Sequence, residues 1–189
     1  MIIAISGTPG TGKTAVANVL AKELGANLIS LTSLLKKGKI HSAADKSRKT
    51  RVVSAADVKS AAKKYAKKGE INIVDGHMSH FADADIVVVL MCRPDILKKR
   101  MAKRGWPEKK IRENIQAEIL DAITIEAVEA HGRKGLVEID TTRCTPEKTA
   151  GIIKKVLNNH ALQRKYVPGK VNWSARFSKL LIEQEKVSK

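Results

Sequence analysis

Eight residues near the amino end, Gly7-Thr8-Pro9-Gly10-Thr11-Gly12-Lys13-Thr14, have the spacing G-x-x-x-x-G-K-[ST]. They follow an apolar run, Met1 to Ser6, and open a helical pattern, which is the context this motif needs. Successive backbone N–H groups and the helix N-terminus then form a concave anion site. Lys13 can reach the β- and γ-phosphates of a nucleoside triphosphate, and the Thr14 hydroxyl can ligand Mg²⁺. Gly10 and Gly12 let the backbone approach the phosphates without a clashing Cβ.

A second apolar run, Ile71-Asn72-Ile73-Val74-Asp75, ends in a carboxylate, and the next residues are Gly76-His77. A strand-terminal Asp75 beside the phosphate loop can hold the Mg²⁺ hydration shell. His77 is placed to meet the γ-phosphate or a water attacking it. Arg100 and Arg104 fall four residues apart on one helical face, just before the break Gly105-Trp106-Pro107. Phosphoryl transfer depends on positioning and charge neutralisation, and arginines on one face could supply that charge.

These residues need a scaffold, and the hydropathy pattern predicts an α/β P-loop NTPase fold, a five-stranded parallel sheet with helices on both faces. The strands are expected at Ile2 to Ser6, Ala26 to Ser30, Ile71 to Asp75, Ile86 to Met91 and Leu136 to Asp140. Ligand would sit at their carboxyl ends. The first helix should run from Gly12 to Leu24 and stop at Gly25. Further helices are expected from Ala55, from Asp95 to Arg104, from Pro107 to Ala130 with Ile111, Ile115 and Ile119 on its buried face, and from Thr145-Pro146 to Leu162. Two segments are insertions: Lys36 to Lys68, with twelve basic and two acidic residues, and the region following the fourth strand. Residues 1–165 read as one domain and residues 166–189 as a basic tail, whose Trp173, Phe177, Leu180 and Leu181 could pack on the body or dock on RNA or protein.

The 189 residues are 43% hydrophobic, enough for a full core. The longest apolar run, Ile86 to Cys92, is far short of the roughly 20 residues that span a bilayer. No basic leader precedes the first strand, so the expectation is a soluble, intracellular, cytoplasmic protein without a membrane segment. Cys92 and Cys144 have no closely spaced partner and read as reduced thiols. A net charge of +17 exceeds what one nucleotide needs and points to a second acidic partner, RNA or a ribonucleoprotein.

The phosphate loop, the D-x-H run Asp75-Gly76-His77, the stretch Arg104-Gly105-Trp106-Pro107-Glu108-Lys109-Lys110, and Asn114-Ile115-Gln116-Ala117-Glu118-Ile119 together carry a resemblance. Over about residues 1 to 160 the chain resembles the adenylate kinase family whose members double as small-subunit ribosome-assembly ATPases, in archaea and as the nuclear adenylate kinase isoenzyme of eukaryotes. The resemblance implies a monophosphate-binding lobe at about residues 30–53 and a lid at about 103–113. It implies ATP contacts from Gly10, Gly12, Lys13, Thr14, Ala15 and Arg104, with Lys13, His77 and Arg104 as catalytic residues and Thr14 and Asp75 on Mg²⁺. It also implies AMP or another monophosphate as acceptor, and as partners the eleventh small-subunit ribosomal protein and pre-ribosomal RNA. One departure stands out. Where adenylate kinases carry a G-D-L-x-R type run, this chain has Thr32-Ser33-Leu34-Leu35-Lys36, so Ser33 and Lys36 are the candidates for the acceptor phosphate, and Lys36 offers a point charge in place of a bidentate fork. Two readings stay open, a kinase acting on AMP and an ATPase acting on a ribonucleoprotein; another P-loop small-molecule kinase is disfavoured by the D-x-H run and the lid.

Overall fold

The computed structural model describes residues 1–45, 50–178 and 180, with the side chains of residues 43–45 and 50–52 outside the description. Its core is a five-stranded parallel sheet formed by β1 (Ile2–Ser6), β2 (Asn27–Ser30), β5 (Asn72–Asp75), β6 (Ile86–Met91) and β7 (Leu136–Asp140), in the order β2-β5-β1-β6-β7. The strands read as continuous β-branched runs because both faces are covered, the usual condition of a parallel sheet. Ile3, Ala4 and Ile5 of β1 have no exposed surface. The strands at β2 and β5 each begin one residue later than the hydropathy pattern suggests, where the Asn27 amide donates to Asn72 Oδ1 at 2.8 Å.

One face is covered by α1 (Lys13–Leu24) and α7 (Pro146–Leu157), whose Val16, Leu20, Ile153 and Val156 pack with Ile3, Ile5 and Val88. Helix α1 starts after Gly12 (φ 103°) and stops at Gly25 (φ 59°), both left-handed. Helix α7 has its expected cap, with Thr145 Oγ1 accepting from the Lys148 N–H at 3.2 Å. It ends earlier than its periodicity implies, because Asn159 accepts from the Leu162 N–H at 3.1 Å and caps a separate short helix, α8 (His160–Gln163).

The predicted helix from Pro107 to Ala130 is two helices. α5 (Glu108–Ile119) packs on α4 (Pro94–Lys103), while α6 (Ala122–His131) packs on β6, β7 and the 3₁₀ turn Ser79–Phe81. Asp121 between them is left-handed (φ 53°), a conformation that aspartate tolerates better than most residues. The break turns the apolar stripe: Ile111, Ile115 and Ile119 contact Leu97 and Met101, whereas Ile123 joins Val87 and Val89 on the sheet. A straight helix could not serve both surfaces.

Two segments flank the site. After β2 come α2 (Leu31–Lys36), an antiparallel pair of β3 (Ala43–Asp45) and β4 (Thr50–Val52), and α3 (Ala55–Tyr65), which begins with a full capping box at Ser54 and Asp57. Of the basic run Lys46 to Arg51, residues 46–49 lie outside the described residues. The tail packs on the body as far as it is described. Both the Gly169 and Val171 N–H groups donate to Glu138 Oε2, at 3.1 and 3.0 Å, and Trp173 is 7% exposed among Ala4, Val89, Ile123 and Leu136. Phe177 meets Trp173 edge-on with ring centroids 6.3 Å apart. Burying an aromatic of this size stabilises by about 3 kcal/mol, so the segment around Trp173 is part of the fold. Leu181 lies outside the described residues. Among the described residues no helix is long and apolar enough to cross a membrane.

Candidate active site

The loop from Gly7 to Thr14 leaves the carboxyl end of β1, between β5 and β6. Hydrogen bonds within the protein hold its shape. Thr11 Oγ1 and the Thr11 N–H both reach the Thr8 carbonyl, at 2.9 and 3.2 Å, and Thr141 Oγ1 at the end of β7 donates to the Thr11 carbonyl at 2.9 Å. Gly7 and Gly10 both disfavour a side chain, Gly7 the more strongly because it faces backbone. With φ 133°, a Cβ on Gly7 would lie 2.3 Å from the Leu90 carbonyl oxygen; with φ 96°, one on Gly10 would lie 2.8 Å from Leu97 Cδ1.

Lys13 is buried beneath the loop, and its Nζ donates to the Thr8 carbonyl at 3.1 Å. Burial pushes its pKa down to about 8, against the attraction of Asp75 and Glu118. An incoming polyphosphate would supply the missing counter-charge. Thr14 Oγ1 donates to Asp75 Oδ2 at 2.9 Å, and the other oxygen, Asp75 Oδ1, is buried with no partner. Burial holds the Asp75 pKa above the usual carboxylate range despite the Thr14 bond and Lys13. A hydroxyl and a carboxylate in contact, with one buried oxygen unsatisfied, fit a hydrated Mg²⁺, a hard cation that takes oxygen ligands.

His77 follows the same strand. Its Nδ1 lies 3.5 Å from the Gly7 carbonyl, and crowding by the loop, together with the Lys13 charge, lowers its pKa. Lys13, Thr14, Asp75 and His77 are thus brought to one end of the sheet. Gly76 lets this turn come close to α2, since a Cβ there would sit 2.9 Å from Leu31 Cβ.

On the far side of the loop a cavity of ≈ 490 Å³ is lined by Gly10, Gly12, Ala15, Arg100, Arg104 and Thr141, among others. Its size is in the range of small-molecule sites. The two arginines differ. Arg100 donates to the Thr141 carbonyl at 3.1 Å and ties α4 to the loop after β7, whereas Arg104, at the carboxyl cap of α4, stands exposed at the rim. Of the acceptor candidates, the Ser33 N–H donates to Ser30 Oγ at 3.3 Å as part of the α2 cap, and Lys36 is exposed in its last turn. Among the described residues no hydrogen bond or ion pair joins either of them to the phosphate loop.

Glu118 is a residue that motif reading left without a role. It is 1% exposed, accepts from the Cys92 N–H at 2.6 Å and bonds the Thr8 side chain, and burial pushes its pKa up to about 7. It therefore joins α5 to the loop that holds Lys13. The signal was present: position 118 is seven residues after Ile111, on the same face as Ile115 and Ile119, and a carboxylate on an apolar stripe calls for an explanation.

The fold and this loop define a P-loop NTPase, and the family model described as an AAA domain matches residues 3–121. Solved structures share the fold: a shikimate kinase from Acinetobacter baumannii (TM-score 0.54, 15% identity, 83% of this chain and 92% of that one) and a thymidylate kinase from Candida albicans (TM-score 0.56, 12% identity, 86% and 92%). Relatives named "Putative adenylate kinase" match along nearly the whole chain. The protein of Methanocaldococcus jannaschii is 38% identical over 178 residues, covering 94% of this chain and 95% of its own, and that of Thermococcus gammatolerans is 35% identical over 184 residues, covering 96% and 97%. The chain belongs to this adenylate kinase family.

Proposed function

We propose that the protein is an ATP:AMP phosphotransferase that also hydrolyses ATP, the second activity serving maturation of the small ribosomal subunit. The observation that supports it most is the pairing of Thr14 with a buried, half-satisfied Asp75 next to Lys13, in front of a cavity able to hold the rest of a nucleotide. In this reading the base and ribose occupy the cavity beside Ala15 and Arg104, and the phosphates lie along Gly10 to Thr14. Mg²⁺ held through Thr14 and Asp75 would neutralise charge on the transferred group. Lys13 and Arg104 stabilise the charge that develops as an AMP phosphate oxygen bonds to the γ-phosphorus and the bond to the β,γ-bridging oxygen breaks, leaving two ADP. No general base is required, because the attacking oxygen is already ionised at pH 7. The lobe at residues 30–53, with Ser33 and Lys36, would hold AMP or another monophosphate, and residues 103–113 would close as a lid. Residues 1–165 would form the kinase domain and residues 166–189 a basic extension whose Trp173 segment packs on that domain.

With water in place of AMP the nucleophile must be oriented, which gives His77 a task that kinase chemistry does not need. The +17 charge supports work near ribosomal RNA, with the eleventh small-subunit ribosomal protein and pre-ribosomal RNA as partners in the cytoplasm. His77→Ala is expected to lower AMP-independent ATP hydrolysis by about 10²-fold while AMP-dependent ADP formation falls less than about threefold, the range of one positioned proton-handling group. Equal losses in both reactions would remove His77 from water activation.

A further inference from the structure

A second histidine, His80, lies in the 3₁₀ turn after the D-x-H run, and nothing above uses it. It is completely buried, as is Ser6 at the end of β1. Two elements, β1 and α6, converge on it. Ser6 Oγ lies 2.9 Å from His80 Nδ1, Glu126 Oε2 of α6 lies 3.3 Å from His80 Nε2, and His131, also of α6, contacts the His80 carbonyl through Nε2. Phe81 flanks the ring with centroids 4.1 Å apart.

Proton bookkeeping fixes the direction of this chain. Ser6 has one hydroxyl proton, and it goes to the His77 carbonyl at 3.0 Å. The contact with His80 must then be Nδ1–H donating to Ser6 Oγ. The other ring nitrogen, Nε2, is buried without a hydrogen-bond partner, with the Glu126 carboxyl 3.3 Å away. The donors run from His80 through Ser6 to the backbone of His77, whose ring lies against Gly7. A buried run of hydrogen bonds holds its end groups in one geometry.

We propose that His80 is a positioning residue, which through Ser6 fixes the His77 carbonyl and so aims the His77 ring at the edge of the phosphate loop. The inference rests on the reading that His77 orients the attacking water. Asparagine can place a side-chain N–H near the position of Nδ1–H, whereas leucine cannot. His80→Leu is therefore expected to lower the kcat of ATP hydrolysis about tenfold or more with little change in KM for ATP, since misplacing a catalytic group by about 1 Å can cost up to about 10²-fold. His80→Asn should recover activity to within about threefold of the original protein.

Unchanged kcat in His80→Leu, a loss confined to KM, or an Asn variant as poor as the Leu variant would each overturn the proposal. If His80→Leu fails to fold, Ser6→Ala breaks the same chain with little loss of volume. It is expected to show the same fall in kcat, and an unaltered kcat would be the contrary result. The His77 ring resonances at fixed pH give a readout independent of turnover: they should shift in His80→Leu and return in His80→Asn. Absence of ATP hydrolysis by the original protein, with those shifts observed, would refute the hydrolytic reading and leave the positioning chain standing; absence of both would refute the chain.

Discussion

Lys13→Met is expected to lower ATP turnover by about 10²–10³-fold, the scale of losing one preorganised charge at a developing oxyanion, without lowering the melting temperature. The two halves of this expectation have one cause. Lys13 is buried with its Nζ on the Thr8 carbonyl, and burial pushes its pKa from 10.5 down to about 8. The folded protein thus holds this ammonium at a cost that a bound triphosphate relieves. Methionine keeps the length of the stem and removes the cost. The sign of the pH dependence follows. Between about pH 8 and 10.5 the unfolded chain binds the Lys13 proton more tightly than the folded one, so this group makes stability rise with pH across that window, and the Met variant should lack that rise. Steady-state kinetics and thermal denaturation across pH test both parts, and a Met variant that turned over ATP within tenfold of the original would remove Lys13 from the reaction.

Asp75→Asn should produce the second large effect, a loss of about 10²-fold in kcat, on the same scale as other lost charge-stabilising groups, together with a weakened dependence on Mg²⁺. Asparagine can still accept the Thr14 hydroxyl, so the local geometry survives. What disappears is the negative charge that a hydrated dication needs. Because burial raises the Asp75 pKa, its ionised form is disfavoured in the folded state without ligand. Stability from this group is fullest below the ordinary carboxylate pKa and falls as pH rises through the raised value; the Asn variant should lack that fall and melt no lower than the original at pH 7. Mg²⁺ titrations of turnover would show it. An unshifted Mg²⁺ dependence would mean that Asp75 does not hold the metal.

Much of this site is legible in the sequence because local backbone chemistry dictates it. The glycines and Lys13 of the phosphate loop have fixed spacing, since consecutive N–H groups must converge on one anion, and the strands are apolar throughout because helices cover both sheet faces. Other parts depend on contacts that spacing does not encode. Ser6 and His80 are 74 residues apart and meet only because β1 pairs beside β5. The division of α5 from α6 is hidden because Ile111, Ile115, Ile119 and Ile123 keep one period across Asp121 while packing on two surfaces. Arg100 and Arg104 share a helical face in the sequence, yet one is bonded to the Thr141 carbonyl and the other stands free at the cavity rim. The sequence lets Trp173 pack on the body or dock on a partner, and the pair of N–H bonds to Glu138 places its segment on the body.

The most direct test of the central claim follows the γ-phosphate itself. ATP labelled in its γ-phosphate is incubated with the protein and Mg²⁺, with and without AMP, and the label is traced. The proposed function predicts labelled ADP when AMP is present and slower release of labelled inorganic phosphate when it is absent, with Lys13→Met deficient in both. Labelled phosphate as the only product, unaffected by AMP, would contradict the phosphotransferase reading.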